Sequence, residues 1–383
     1  MFHTTLCDDS VVHVCVPAGD ARQATAALRE AFPDEGLKLL LFFASLSSYE
    51  PRALEAALCE AFGAEAPVVG CTSAGQFGLD GFQSGGITAL GFYGDDWFAR
   101  PHLLAPLGSG EEPLELDLEP LQRARREVPK GMSPFGLVLI DGLSMREERL
   151  MAQLYRSLTH MPVVGGSAGD DMAFEATWVY SGGRFVHNAA VFVLAATRFP
   201  FEVARAQHHR PTQRRLVVTE ARPEERIITE INGYPAVRAY CDAIGIRPEQ
   251  LSPAIYSRHP VTLRVGDDHY IRSIQQRNDD DSLTFLCAIE RGIILQVAEP
   301  EDALTALDEA MQKTRGALGD APALIIGFDC ILRRLEFESS ALNTAVFERF
   351  TANRIVGFYT YGEQVNGLHV NQTFTGIAFG GRA

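Results

Sequence analysis

The sequence predicts a mixed α/β protein of two domains, and three observations support this. A strand–helix–strand segment occurs three times along the 383 residues. Each segment closes on a Val-Gly-x-x-(Ser/Thr)-x-Gly pattern, which is one residue shorter in the second copy. Each is then followed by a strand with period-two alternation. The repeat therefore predicts related units with mixed sheets.

The first copy opens with the apolar strand Leu37–Ala44, continues with a helix from about Pro51, and closes at Val68–Gly75. The second has a strand at 136–140, a helix from about Arg146 to Leu158 and a closing strand at 163–169. The third has a strand at 323–328, a helix from about Ser340 to Phe350 and a closing strand at 355–362. Apolar residues at helical spacing, such as Leu150, Leu154 and Leu158, predict that each helix packs on a sheet.

A polar run, Glu220–Arg226, predicts the domain boundary at about residues 221–225. The predicted divisions are an N-terminal extension (1–25), a first domain with two copies (26–222) and a second domain with the third copy (223–383). Pro235 before an apolar stretch predicts a further helix over 236–244.

Charge and composition exclude several functional classes. The net charge is −15, so the basic footprint that nucleic-acid binding requires is missing, and an anionic membrane surface is disfavoured. The longest apolar run has about eight residues, too few to cross a bilayer. The first 16 residues lack a basic segment, and the seven cysteines are widely spaced. We therefore expect a cytoplasmic protein with reduced thiols.

No catalytic motif stands out. Gly165–Gly169 matches the G-x-S-x-G pattern around Ser167, but no helix follows, as a nucleophile elbow requires. The related segments keep Ser73 and Thr360 in the same frame without the first glycine. We therefore predict a structural glycine turn and no enzyme, with a Ser167 hydrolase as the alternative. Asp329 with Arg333 and Arg334 is interpreted as a buried ion cluster or, alternatively, an anion-binding edge.

Among ten histidines, His208 and His209 are adjacent and follow a strand-like segment at 203–206. Neighbouring strand residues point to opposite faces, so only one of these two rings is expected to enter a given pocket.

The segments Pro67–Gly75, Val164–Asp170, Glu230–Gly233 and Gly357–Glu363 resemble the FIST sensory domain, in both its N-terminal and C-terminal parts. This resemblance implies a signal-input module that binds small ligands and performs no catalysis. A narrower set, including His208–Thr212, Gly327–Arg334 and His369–Gly376, is similar to the nitric-oxide-sensing, haem-binding FIST subgroup.

The narrower resemblance implies haem b as cofactor, nitric oxide as signal, and a histidine kinase or a diguanylate cyclase or phosphodiesterase as partner. It assigns iron ligation to His208 first, with His209 as rival and His187 or His13 as further candidates. Arg210, Arg214 and Arg215 would meet the propionates. The alternative is a haem-free module that binds an amino acid or similar metabolite through Arg333, Glu363, Asn366 and Asn371. The sequence leaves the oligomeric state open, a homo-oligomer included.

Overall fold

The computed structural model describes residues 2–7, 9–110, 112–158 and 161–382. These residues form helices and four sheets that mix parallel and antiparallel pairs, which confirms the mixed α/β class. Three of the sheets share one plan, described below as repeats one to three. The fourth sheet belongs to a segment inserted into repeat three.

Repeat one contains β1 (Phe2–Leu6), β2 (Val11–Val16), α1 (Ala21–Ala31), β3 (Leu37–Ser45), α2 (Pro51–Phe62), β4 (Val68–Ser73), β5 (Gln76–Gly78), β6 (Gly81–Gln83) and β7 (Ile87–Tyr93). Repeat two contains β8 (Trp97–Leu104), α3 (Glu119–Arg126), β9 (Ser133–Ile140), α4 (Glu147–Ser157), β10 (Val163–Ser167), β11 (Val179–Ser181), β12 (Arg184–Val186) and β13 (Ala190–Thr197).

Repeat three begins with β14 (Phe201–Ala206) and is then interrupted by the insert, residues 209–300. The insert contains β15 (His209–Arg222), β16 (Ile227–Ile231), β17 (Tyr234–Pro235), α5 (Ala236–Ile244), α6 (Pro253–Arg258), β18 (Val261–Val265), β19 (Asp268–Arg272), β20 (Ile274–Arg277), β21 (Leu283–Phe285) and β22 (Ile294–Pro300). Repeat three resumes with α7 (Ala303–Leu318), β23 (Leu324–Cys330), α8 (Ile331–Ser339), α9 (Asn343–Ala352), β24 (Ile355–Thr360), β25 (Glu363–Val365), β26 (Leu368–Val370) and β27 (Phe374–Phe379).

Each repeat forms the same four-stranded core of a sheet. The strand orders are β2-β7-β3-β4, β8-β13-β9-β10 and β14-β27-β23-β24, with the last two strands of each core parallel. The third copy therefore has the arrangement of the first two, as the sequence repeat predicts.

The hairpin that follows each core pairs with a different repeat. Hairpin β5–β6 extends the sheet of repeat three, β11–β12 extends that of repeat one, and β25–β26 extends that of repeat two. The three repeats thus exchange hairpins in a closed cycle, and each sheet is completed by a neighbour.

The recurring Val-Gly pattern has a steric cause. Gly70, Gly165 and Gly357 occupy the same position in the three closing strands. A Cβ at these glycines would lie 2.5, 1.9 and 1.8 Å from the carbonyl oxygen of the residue paired with each on the parallel strand. No side chain fits at that distance, so the glycines allow the close approach of the two strands.

The hydrophobic cores follow this plan. The inner faces of the three sheets meet in one central cluster, in which Phe43 of β3 stacks on Phe358 of β24 with ring centroids 4.5 Å apart. The outer faces are covered by α1 and α2, by α3 and α4, and by α7 to α9. The insert has a separate core of its own, including Leu216 and Val237.

Several predicted elements lie close to their predicted positions, and others differ. Helix α2 begins at Pro51, where Glu50 accepts a hydrogen bond from the Ala53 N–H, and α5 spans 236–244 as predicted. The third helix, predicted from about Ser340, is α9, but α8 was missed because Arg333 and Arg334 interrupt its apolar stripe. The predicted N-terminal extension, residues 1–25, supplies β1, β2 and the start of α1. The predicted end of the first domain, residue 222, is the last residue of β15. The division into domains stays a prediction.

Candidate functional site

Several segments depart from the threefold plan, and three of these departures lie close together. Between the closing strand and its hairpin, repeats one and three have two residues (74–75 and 361–362), whereas repeat two has the loop 168–178. The second departure is the insert. The third is α8, because repeats one and two have only the loops 46–50 and 141–146 between opening strand and helix.

All three departures line one cleft of about 880 Å³, called here the joint cleft. Apart from Tyr361, each lining residue belongs to a departing segment or directly follows α8. They are Met172 and Phe174 of the loop, Pro253, Ala254, Ile255, Tyr256, Ser257, Arg258, Gln275, Leu286 and Pro300 of the insert, and Ile331, Leu332, Leu335, Glu336, Ser339 and Ser340. Most of these side chains are apolar or aromatic, and Glu336 is the acidic residue among them.

The loop at the cleft is held by Asp170. Its carboxylate accepts hydrogen bonds from the backbone N–H groups of Phe174, Glu175 and Ala176 at 2.7–2.9 Å, and from the Tyr361 hydroxyl. The Phe174 ring stacks on Tyr361 at a centroid distance of 4.5 Å. Phe174 and Met172 remain about 40% exposed, so a ligand in the cleft can reach both.

A chain of ionisable side chains runs from the buried sheet to the cleft wall. Arg333 Nε donates to Asp329 Oδ1 at 2.6 Å, and Arg333 Nη1 donates to His208 Nδ1 at 2.9 Å. His208 Nε2 lies 2.9 Å from both carboxylate oxygens of Glu336. Because Nδ1 accepts from Arg333, Nε2 carries the proton, and His208 is a neutral donor to Glu336.

This series of ionisable side chains is specific to repeat three. Strand register places Asp329 at the position of Ala44 in repeat one and Ile140 in repeat two. Burial raises the pKa of Asp329, and the Arg333 guanidinium opposes that rise. A buried carboxylate where the other repeats are apolar is costly unless it is paired, and Arg333 supplies the partner.

His208 and His209 lie against each other, with ring centroids 4.3 Å apart. The prediction that their rings face opposite sides is wrong, because His208 lies between β14 and β15 and only His209 belongs to a strand. His209 is 4% exposed, and its ring nitrogens make no side-chain hydrogen bond among the described residues, while an interaction with the Ser257 backbone acts to raise its pKa. Burial, followed by the neighbouring His208 and Arg333, holds the pKa of His209 well below its ordinary value.

Among the described residues, the two histidines and Glu336 form a group that could hold a metal. Their ligand atoms lie within 4.8 Å of one another. His209 is neutral, so one of its ring nitrogens keeps a lone pair that could bind a metal, whereas both ring nitrogens of His208 are already hydrogen-bonded. A metal at His208 Nε2 would have to displace the proton donated to Glu336 and separate Nδ1 from Arg333.

The predicted propionate-binding arginines point to solvent. Arg210 pairs with Glu301 at 3.4 Å and Arg214 pairs with Glu299 at 3.6 Å, with at least half of each arginine side chain exposed. Neither lines the joint cleft.

The predicted metabolite-binding residues are not brought together in the joint cleft. Glu363 is buried and accepts from the Thr360 hydroxyl at 2.5 Å, and burial raises its pKa well above the ordinary range. Asn371 is buried near Ser273, and Asn366 lies in the exposed turn of the β25–β26 hairpin with a φ of 46°. Of the four, Arg333 alone is placed beside the cleft wall, through His208.

The remaining candidates have structural environments. Ser167 is buried at the end of β10 and accepts a hydrogen bond from Gln364, and a loop follows it in place of the helix of a nucleophile elbow. His13 is buried 3.3 Å from Cys15 Sγ. His187 packs against Trp178 with ring centroids 4.8 Å apart and the rings tilted by 51°.

Sequence reasoning missed Glu336 and the joint cleft. The signal for the loop was present, since the second copy loses the common pattern at Asp170 and Asp171. The signal for the charged chain was the contrast of Asp329 with Ala44 and Ile140, which an alignment of the opening strands gives directly.

Comparison with known families agrees with this architecture. The profile of the FIST N domain matches residues 38–234, and that of the FIST C domain matches residues 236–366.

The chain belongs to the FIST family.

FIST domains indicate a sensory, signal-transduction module. This chain is also similar to an uncharacterized protein of Methanocaldococcus jannaschii, at 22% identity over 353 residues that cover 82% of this chain and 67% of the relative. The joint cleft of this FIST protein is lined from both matched regions, with Met172 and Phe174 from the first and α6 and α8 from the second.

None of the seven cysteines of the FIST protein, all of which lie among the described residues, forms a disulfide. Within the described residues, none of the helices combines the length and apolar character needed to cross a bilayer.

Proposed function

We propose that this FIST protein is a signal-input module that binds a small, largely apolar ligand in the joint cleft and reports its occupancy to a separate signalling protein. The observation that carries the proposal is the convergence of the three departures from the repeat on one cleft. Segments that only stabilised the repeat would not need to meet in one place. A ligand there would contact repeat two, repeat three and the insert together, so binding would change how these parts are held.

A neutral solvatochromic dye, Nile red, tests whether the cleft takes an apolar ligand. Ser339→Trp would place an indole in the cleft, whereas Glu338→Trp adds the same group one residue away, outside the lining. We expect saturable dye binding to the wild type and to Glu338→Trp, and at least tenfold weaker binding to Ser339→Trp. Equal binding by both variants would refute the proposed site.

A second candidate ligand is haem b, with nitric oxide as the signal and a histidine kinase or a cyclic-di-GMP enzyme as the partner. The observation that favours it is His209, a buried, neutral histidine whose ring nitrogens make no side-chain hydrogen bond among the described residues. Its cross-strand neighbour Pro300 lines the cleft. Haem iron held by one histidine would supply a binding position for a diatomic gas.

For this candidate, iron ligation is assigned to His209 in place of His208, because both nitrogens of His208 are engaged. Protein produced with adequate haem should show a Soret band that nitric oxide shifts. His209→Ala should abolish haem retention while His208→Ala retains it. Protein that stays colourless after reconstitution with haem would exclude this candidate and leave the cleft proposal intact.

A further inference from the structure

We propose that Glu336 makes the joint cleft selective for organic cations, namely ligands with an ammonium group on an apolar body. This inference rests on the proposed function of the cleft. It names the chemical class of the ligand, which an apolar cleft alone would not determine.

Glu336 presents a carboxylate on an otherwise mainly apolar wall, and its side chain is 18% exposed. Glu336 contacts His208, which is neutral in this arrangement because Arg333 donates to its Nδ1. The Arg333 charge is in direct contact with Asp329, at 2.6 Å. Glu336 therefore accepts hydrogen bonds from a neutral donor that leaves its negative charge uncompensated, and this charge is available to a cation that enters the cleft.

Binding would strengthen this attraction. The apolar body of the ligand would displace water from Phe174, Tyr361 and the leucines of α8, and a charge pair is stronger where water is excluded. The aromatic rings of Phe174, Tyr256 and Tyr361 line the same cleft, and their faces also favour a cation. Arg258 is the cation of the lining, but it is exposed to solvent, where its charge is screened.

His208 is a positioning residue in this site. It holds both oxygens of Glu336 at 2.9 Å and is itself held by Arg333, which Asp329 fixes in turn. The carboxylate is thus ordered before the ligand arrives, and less conformational entropy is lost on binding. This role gives a reason for a buried ion pair in repeat three where the other repeats have alanine and isoleucine.

Three ligands of similar shape test the charge preference on the intact chain: 2-phenylethylamine, 2-phenylethanol and 3-phenylpropionate. Calorimetry at pH 7.5 should show the amine binding at least tenfold more tightly than the alcohol, and the carboxylate most weakly. Equal affinity for amine and alcohol, or tighter binding of the carboxylate, would overturn the inference while leaving the cleft as a ligand site. If none of the three binds or displaces Nile red, the cation preference is refuted, and the Nile red comparison of Ser339→Trp with Glu338→Trp decides separately whether the cleft takes a ligand.

Variants then test whether Glu336 causes the preference for the amine over the alcohol. Glu336→Gln should bring amine and alcohol affinities within about twofold and leave the alcohol affinity unchanged. Glu338→Gln, a matched change on the same helix outside the lining, should keep the wild-type ratio. His208→Asn should reduce the ratio of amine to alcohol affinity. A general loss of stability would weaken the binding of both ligands and would leave this ratio unchanged. If Glu336→Gln keeps the wild-type ratio of amine to alcohol affinity, the assignment to Glu336 is contradicted. If that variant folds poorly, the comparison of the three ligands on the wild type still decides whether the cleft prefers a cation.

Discussion

Asp329 and Arg333 form an ion pair in which both side chains are at most 1% exposed. Such pairs contribute little net stability compared with apolar packing, but the loss of one partner leaves an uncompensated buried charge. The equivalents Ala44 and Ile140 indicate that the fold at this position does not require the pair.

Arg333→Leu should therefore destabilise the protein by about 3–5 kcal/mol, because Asp329 stays buried without a cation. The double variant Asp329→Ala/Arg333→Leu should recover most of that loss, since it restores the apolar pattern of the other repeats. Urea unfolding followed by circular dichroism measures both. A double variant no more stable than Arg333→Leu would show that the pair has a structural role.

Glu148 on α4 connects repeat two with the insert. Its carboxylate pairs with Arg226 at 2.9 Å and accepts the Ala288 N–H at 2.5 Å. Burial by itself would raise the pKa of Glu148, but Arg226, with His369, the Ala288 N–H and Arg272, lowers the pKa to about 2. The folded value lies below the ordinary 4.5, so this group stabilises the fold above pH 4.5 and loses that contribution as the pH falls towards 2.

Glu148→Gln should lower stability at pH 7 by about 3 kcal/mol and flatten the dependence of stability on pH between 4.5 and 2. The exposed Glu60→Gln is the control and should leave the profile unchanged. Chemical denaturation at a series of pH values measures the effect. If the stability of Glu148→Gln falls with pH between 4.5 and 2 as steeply as that of the wild type, Glu148 is not the source of this pH dependence.

At the scale of elements, the loop 168–178 is present in repeat two alone among the three repeats. Hydrogen bonds of Asp170 to the loop backbone and to Tyr361 fix the conformation of this loop. Its residues Asp171, Met172 and Phe174 have φ between 54° and 70°, an unfavourable backbone region for these side chains. Asp170 accepts three backbone N–H groups of the loop and so stabilises this conformation. The result is that Phe174 is held on Tyr361 at the cleft.

Phe174→Ala should weaken ligand binding in the joint cleft by about threefold to tenfold, the range expected for the loss of an aromatic contact. Stability should change by less than about 1 kcal/mol, because the Phe174 side chain is largely outside the core. Met145→Ala, at an exposed methionine that does not line this cleft, is the control. Wild-type affinity in Phe174→Ala would exclude the loop from ligand binding.

At the scale of the molecule, the cyclic exchange of hairpins makes each repeat depend on the others. Strand β10 needs β25 from repeat three, and β24 needs β5 from repeat one. The central core also takes residues from all three sheets. Truncation after repeat two would leave β10 with an unpaired edge and would remove the side of that core that repeat three supplies.

A fragment of residues 1–199 should therefore fail to unfold cooperatively, whereas the whole chain should show a cooperative transition. Thermal unfolding followed by circular dichroism, with dye binding to exposed apolar surface, compares them. A sharp transition in the fragment would show that the hairpin exchange is dispensable for folding.

The sequence by itself determined the parts that depend on local pattern. The three strand–helix–strand copies were predicted because their apolar spacing and the Val-Gly pattern reflect constraints within each copy: a helix stripe must face a sheet, and Gly70, Gly165 and Gly357 must admit a neighbouring carbonyl. The resemblance to FIST domains followed from those segments and is confirmed by both matched profiles. The haem, nitric-oxide and partner assignments stay predictions.

Only the tertiary structure decided how the copies pair and where the site lies. The hairpins could have folded back on their own strands, and their exchange is set by contacts between residues far apart in the chain, such as Gly357 with Phe77. The same holds for Glu336 and His208, which are separated by 128 residues and meet only because the insert returns β22 to α7. Local patterns record burial, whereas the choice of a distant partner depends on the free energy of the whole packed core.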